Sequence, residues 1–301
     1  MAHFLTGKHD NLVQRARIIQ KIRAFFIEAE FLEVETPQRI PLNAPEANII
    51  PIQCDNWQLQ TSPELAMKRL LAAGYQKIFQ ICHCWRDEER GRKHLPEFTM
   101  LEWYRSNCDY EQLMSDCENL IHFLIPQNQI TYQGHNIDLS QPFERLSVSE
   151  AFARHTDRSP QEALKEDSFD ELMAFSIEPH LGLIQPTILY DYPIELASLA
   201  RRKTNRPELA ERFELYIAGL ELANAFSELS DSEEQRLRFN KENNLIATSR
   251  DIPKTLPEPF LADLVSMPPA AGIALGIDRL IMLMTDSNSI SQVVAFTPDE
   301  L

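Results

Sequence analysis

KIFQICHCWRDEERGRKHLPEFTMLEWY, residues 77–104, is the stretch whose reading decides the fold. Ile78, Phe79, Ile81 and Trp85 make Lys77 to Arg86 β-like, a polar segment follows from Asp87 to Glu97, and Phe98 to Tyr104 is a second β-like run. Two such runs around a charged loop form an antiparallel hairpin. Cys82-His83-Cys84 has no second ligand pair at zinc spacing, so the alternating cysteines read as strand packing. Glu102 stands among Phe98, Met100, Leu101 and Trp103. A carboxylate in such a strand is costly unless it meets a cation. The loop charges, Arg86 through Glu97, suit either a solvated surface or an arm that holds a charged ligand.

Outward from this hairpin the elements keep the same character. Asn11 to Glu30 has Leu12, Ala16, Ile19, Ile22, Phe25 and Phe26 at helical spacing. Phe31 to Pro37 reads as a short strand ending at proline. Ser62 is placed to cap a helix with Pro63 and Glu64 in its first turn, running to Ala73. Cys108 to Ile125 is helical, and residues 126 to 190 mix short strands and helices. Glu211 to Tyr216 and Leu220 to Phe226 form a second hairpin, turning at Ala218-Gly219. Ala270 to Ile277 is a strand that enters a helix, Asp278 to Met284. Hairpins alternating with helices, without a βαβ period, predict an α+β fold: a mostly antiparallel sheet flanked by helices.

Composition narrows the function. The chain has 301 residues, 29 Lys+Arg and 45 Asp+Glu, for a net charge of −16. Residues 111–301 hold 15 of the basic and 31 of the acidic side chains, so the whole excess lies there. That balance argues against a chain that coats nucleic acid, which needs clustered Lys and Arg. With 44% hydrophobic and 25% charged residues, a disordered or low-complexity chain is excluded. The start, MAHFLTGKHDN, lacks the apolar core of a signal peptide. The most apolar stretch, Ile273 to Met284, is broken by Asp278 and Arg279, so no membrane span is expected. Five cysteines at irregular spacing are no disulfide framework, and the expected compartment is the reducing cytoplasm.

Two further segments carry charge where a sheet is usually bland. Glu214, Glu221 and Glu228 recur in the second hairpin, where a turn near Gly219 would bring the first two together. Paired carboxylates on a hairpin suit Mg²⁺, a hard cation that bridges to phosphates, and equally suit an exposed edge. In GIALGIDR, residues 272–279, small residues keep one strand face flat for a planar ligand, and Arg279 opens the next helix beside it. An arginine there can stack on a ring or fork to phosphate oxygens.

Together these segments resemble the signature motifs of class II aminoacyl-tRNA synthetases, most of all the lysine-specific branch. FLEVETP (31–37) is similar to motif 1, WRDEERGRKHLPEFTMLEWY (85–104) to motif 2, and GIALGIDRLIMLM (272–284) to motif 3. SPE (62–64) and RFELYIAGLELANAFSEL (212–229) match further segments of that branch, in order. The first helix begins near residue 12, which leaves no room for the branch's anticodon-binding β-barrel. Residues 1–301 are therefore expected to form one catalytic domain. This truncated form, Ala274 in place of the synthetases' glycine, and LEWYR at 101–105 resemble the elongation factor P–lysine ligase family.

The resemblance implies ATP and Mg²⁺ as cofactors, elongation factor P as protein substrate, lysine or (R)-β-lysine as amino acid, little use for tRNA, and a homodimer through the motif 1 region. It implies that Arg86 and Arg279 act in catalysis. ATP would meet Arg86, Asp87, Glu88, Arg92, His94, Leu95, Phe98, Glu221, Leu222, Gly276 and Arg279, with Glu88 reading the adenine amine and Phe98 and Arg279 sandwiching the ring. Ser62, Pro63, Glu64, Glu102, Tyr104, Glu228 and Ala274 would receive the amino acid, and Glu214 and Glu221 the metal. Two departures stand out. Leu95 replaces an asparagine of motif 2, and Ala225 replaces a glycine, whose added methyl is expected to narrow the amino-acid pocket or reshape the strand. Arg201, Arg202, Lys203 and Arg206 form a basic cluster that suits either docking or a solvated loop. A short tRNA-charging enzyme, one with another acceptor, and a non-catalytic regulator are the alternative functions.

Overall fold

A computed structural model describes residues 4–249 and 255–301. Its centre is an eight-stranded sheet of β1 (Leu32–Glu33), β2 (Lys77–Trp85), β3 (Glu97–Ser106), β4 (Glu144–Ser147), β5 (Thr187–Tyr190), β6 (Arg212–Ile217), β7 (Leu220–Ser227) and β8 (Ala270–Gly276). In space the strands run β1-β2-β3-β8-β7-β6-β5-β4. The six central strands, β2 to β5 in that order, are antiparallel, and only the outer pairs β1-β2 and β4-β5 are parallel. The α+β expectation holds. The second hairpin turns at Ala218 (φ 55°) and Gly219 (φ 67°), both left-handed, as a two-residue turn between twisted strands requires.

Three helices cover one face of the sheet: α1 (His9–Glu28), α3 (Tyr110–Leu124) and α6 (Ile277–Met284). Ile18, Ile22 and Phe26 of α1 and Leu113, Cys117 and Ile121 of α3 pack there on Phe79, Leu101, Trp103, Leu215, Ala223, Ile273 and Leu275. Because side chains alternate across a strand, the other set from the same strands faces away from these helices. On β3 that set is Phe98, Met100, Glu102 and Tyr104, and on β8 it is Gly272, Ala274 and Gly276. This face is only partly covered, by α2 (Glu64–Ala72), α4 (Ser232–Ser249) and α5 (Glu258–Leu264), through Met67, Leu71, Phe239, Phe260 and Leu264. The uncovered part is the site.

Two expectations need correction. Helix α2 has Pro63, not Ser62, in its cap position, and Ser62 Oγ accepts from Glu64 N at 3.0 Å from one residue further out. Ala225 is fully buried among the helix-side core and lies opposite Ile273 and Phe213. Its methyl points away from the open face, so it does not narrow a pocket there. The basic cluster is ion-paired within the chain: Arg201 with Glu211, Arg202 with Glu234, Lys203 with Asp191 and Arg206 with Glu208. Arg202 and Arg206 remain about half exposed, so these pairs lie at the surface. Cys82 and Cys84 pack on one face of β2 against Met100. No helix among the described residues is long and apolar enough to cross a membrane.

Candidate active site

A cavity of about 220 Å³ opens on the uncovered face of the sheet, bounded by β3, β7, β8, the start of α2 and the loop between β2 and β3. Of the residues singled out from sequence, Ser62, Glu64, Arg86, His94, Leu95, Phe98, Glu102, Tyr104, Glu221, Leu222, Ala274, Gly276 and Arg279 line it. Pro63, Asp87, Glu88, Arg92, Glu214 and Glu228 do not. Glu89, next to the predicted Glu88, does. Glu88 sits exposed at a left-handed position (φ 65°). Arg92 lines a neighbouring cavity, with Nη2 donating to Asn288 O at 3.1 Å.

The closed end is acidic. Glu102 is 1% exposed, opposite Ala274 in the β3-β8 register. Ser62 Oγ donates to its Oε1 at 2.6 Å and Tyr104 OH to its Oε2 at 2.7 Å. Burial, and then the charge of Glu64, push the Glu102 carboxyl up from 4.5 to about 7, against those hydrogen bonds. Glu228, at the end of β7, is also 1% exposed, and its Oε1 has no hydrogen-bond partner. A Cβ at Gly272 would collide with that oxygen and with the Tyr104 ring, so glycine is what lets them converge.

Sequence reasoning missed the cation that serves this end. Lys68 of α2 is 1% exposed, its Nζ paired with Glu64 and 2.5 Å from Glu228 Oε2, and 5.0 Å over the Phe226 ring. Burial pulls the Lys68 ammonium down, but Glu228 and Glu64 outweigh it and hold the group charged. Burial raises the Glu228 carboxyl and Lys68 holds it back. Three carboxylates thus share one internal cation. When all three are ionised the closed end has room for two more positive charges. The four-residue spacing of Glu64 and Lys68 was the signal in the sequence, but such pairs are ordinarily helix-surface pairs.

The mouth is cationic. Arg86 leaves β2 with its guanidinium 5.2 Å over the Phe98 ring and Nε donating to Thr61 O at 3.4 Å. Arg279, in the first turn of α6, donates through Nη1 to Glu221 O at 2.8 Å and Oε2 at 3.1 Å, and its Nη2 meets His94 Nε2. Burial and the Arg279 charge keep the His94 imidazole below its usual range, hence neutral at pH 7. Asp278 fixes this corner: it is buried, accepts from Thr99 N at 2.8 Å and pairs with Arg15 of α1. Between mouth and closed end, Gly272, Ala274 and Gly276 give β8 the flat face expected of it.

Glu214 stands apart on β6, held by Arg212 (2.6 Å), Tyr192 (2.6 Å) and Tyr216 (2.7 Å). It and Glu221 do not face one another directly: Glu214 lies opposite Asn224, and Glu221 opposite Tyr216 beyond a bulge. They remain close enough to repel, and Glu178 joins them. Burial, then Glu214 and Glu221, raise the Glu178 carboxyl.

A flat face flanked by two arginines, leading to a pocket for diammonium charge, is a geometry for a nucleotide and a dibasic amino acid. The profile of tRNA synthetases class II (D, K and N) matches residues 6–300. The chain belongs to the class II tRNA synthetase family. Among curated class II relatives, the elongation factor P–(R)-β-lysine ligases of Salmonella dublin and of Salmonella heidelberg (strain SL476) are each 38% identical to it, over 96% of this chain and 95% of theirs.

Proposed function

We propose that this chain activates a lysine-type amino acid, (R)-β-lysine, with ATP and passes it to a lysine of elongation factor P. The single observation that carries this is the closed end: Glu102 and Glu64 line the cavity and Glu228 is buried behind Gly272, the three gathered around one lysine, with one Glu228 oxygen unpartnered. A cationic substrate would let these carboxyls ionise, where the empty pocket leaves two of them raised toward the neutral form. The name of the similar ligases supplies the acceptor and the isomer.

In the first step the amino acid carboxylate attacks the α-phosphorus of ATP, giving an aminoacyl adenylate and pyrophosphate. Arg86 faces the developing phosphate charge, and Phe98 with Arg279 encloses the adenine ring, for which the Arg86 guanidinium must leave the Phe98 face. Arg92, Lys93 and His94 reach toward the outer phosphates. The enzyme works by alignment and charge neutralisation. In the second step the acceptor amine attacks the acyl carbon and AMP leaves.

Magnesium fits by donor chemistry, since Glu221 and Glu214 offer hard oxygens and a cation would relieve their repulsion with Glu178. Among the described residues no three His, Cys, Asp or Glu side chains are grouped to hold a metal ion, so an ion there would take most of its ligands from phosphates and water. It would supply neutralisation of phosphate charge. We further read residues 1–301 as one catalytic domain, acting as a homodimer through the Phe31 to Pro37 region. Exposed Ile27 and Leu32 beside that strand support the contact.

The test is to incubate the protein with ATP, each lysine isomer and unmodified elongation factor P, and weigh the factor. A mass gain largest with (R)-β-lysine is expected. No gain with any isomer refutes the proposal, and charging of bulk tRNA instead would assign the acceptor differently.

A further inference from the structure

One carboxylate at the site has no part in the steps above. Glu46 lies in the connection between Ile40 and Gln53 and lines the cavity with Glu64, Arg86 and Ala274. That connection is tied down on several sides. Thr61 N donates to Asn43 Oδ1 at 2.8 Å, Ala47 N to Glu242 Oε2 of α4 at 2.9 Å, and Asp87 N to Ile50 O at 2.8 Å, directly after Arg86. Between these anchors Ile49 N donates to Glu46 O at 3.3 Å, a turn that sets both Glu46 and Ile49 against the cavity.

The Glu46 carboxyl itself has no hydrogen bond or ion pair among the described residues, unlike Glu64, Glu102 and Glu221 around it. The charged groups that face it are Glu64 and Lys68 of α2, Arg86 at the end of β2 and Glu242 of α4. Burial, then Glu64, raise it from 4.5 to about 7, with Arg86 opposing. It shares the cavity with the carboxylate at the amine end and the arginine at the phosphate end, and feels the charge of both. The acyl–phosphate anhydride of the proposed function spans those two ends.

An acceptor lysine arrives as an ammonium and has no lone pair to attack with until it sheds a proton. We propose that Glu46 is the general base of the transfer step. The Glu46 carboxylate takes one proton from the acceptor ammonium, the freed nitrogen bonds to the acyl carbon, and the acyl–oxygen bond breaks with its electron pair leaving on AMP. The nitrogen releases its second proton to solvent and keeps the third in the amide. The assignment rests on the proposed function. A base that titrates near the working pH is the efficient choice for such a step.

The experiment measures two rates for wild type, Glu46→Gln and Glu46→Asp: (R)-β-lysine-dependent ATP–pyrophosphate exchange, and single-turnover transfer from the enzyme-bound adenylate to the acceptor protein. The expected result is a ratio of transfer to exchange lowered about 10²-fold or more in Glu46→Gln at pH 7. Its transfer rate should climb again toward the pKa of the amine itself, about 10.4. Partial recovery is expected in Glu46→Asp, and wild-type transfer should rise through pH of about 7. An unchanged ratio overturns the proposal. A rise in KM for (R)-β-lysine in the exchange reaction, with α-lysine unaffected, also overturns it and assigns Glu46 to the β-ammonium. Absence of lysine-dependent exchange in the wild type would refute the proposed function instead, so the two failures are distinguishable.

Discussion

Replacing Lys68 with methionine tests whether the internal cation sets the charge of the amino-acid pocket. Methionine keeps the apolar stem on Phe226 and removes the ammonium that pairs with Glu64 and Glu228. Breaking a buried ion pair costs about 3–5 kcal/mol when the remaining charge stays ionised. Here the carboxyls can take up protons instead, so that figure is an upper bound on the stability lost. The larger effect is on binding. Even with Lys68 holding it back, burial keeps the substrate-free Glu228 carboxyl at about 8; without Lys68 it rises further, and the substrate ammonium alone must ionise it at pH 7. A charge-assisted hydrogen bond to the substrate ammonium, worth about 1.5–3 kcal/mol, then becomes an ordinary one or is lost. At 1.4 kcal/mol per tenfold this raises KM for the amino acid by about 10- to 150-fold. Lysine-dependent ATP–pyrophosphate exchange across pH reads it directly. Raising the pH ionises Glu228, so KM should fall through pH of about 8 in the wild type and only at more alkaline pH in the variant. An unaltered KM with an unaltered pH profile would refute the reasoning, as would a KM lowered because Lys68 competes with the substrate.

Three further outcomes follow from the same geometry. Ala274→Gly, on the cavity face opposite Glu102, should shift relative kcat/KM toward α-lysine, and an unchanged ratio of the two isomers counts against a selective role. Ala225→Gly should leave the amino-acid KM within about twofold, because its methyl faces the helices, while lowering stability by about 0.5–1 kcal/mol in chemical denaturation. The Glu102 carboxyl, raised to about 7, favours the folded chain fully below the unfolded value of 4.5, and that contribution is lost as pH rises through 7. The substrate-free protein should therefore lose stability across that window, and amino acid binding near pH 7 should release protons, seen by calorimetry in buffers of different ionisation enthalpy. Equal heats in all buffers would contradict it.

Much of the sheet was legible because its strands carry a period of two and its hairpins carry turn residues where the chain reverses. Lys77–Trp85, Glu97–Ser106, Arg212–Ile217, Leu220–Ser227 and Ala270–Gly276 lie within about two residues of the runs read from the sequence. Glu102 was legible as an anomaly, since a carboxylate among Met100, Leu101 and Trp103 demands a partner. Its neighbours on the cavity face were not, because facing depends on register, and register appears only when strands pair. Ala225 shows the difference: its substitution is visible in the sequence, but which side the methyl takes follows from its place opposite Ile273.

By itself, then, the sequence determined the α+β class, the order of the signature segments and Arg86, Arg279, Glu64, Glu102 and Glu221 among the groups that line one cavity. These are properties of local pattern and residue type. Tertiary structure alone decided that Lys68 is a buried counter-charge and not a helix-surface lysine, that Glu46 comes to the cavity from a loop without any motif, and that the Arg201 to Arg206 cluster is spent on internal ion pairs. Each of those depends on what a side chain meets across a long chain separation. The free energy of a charge is set by those neighbours and by the water they exclude.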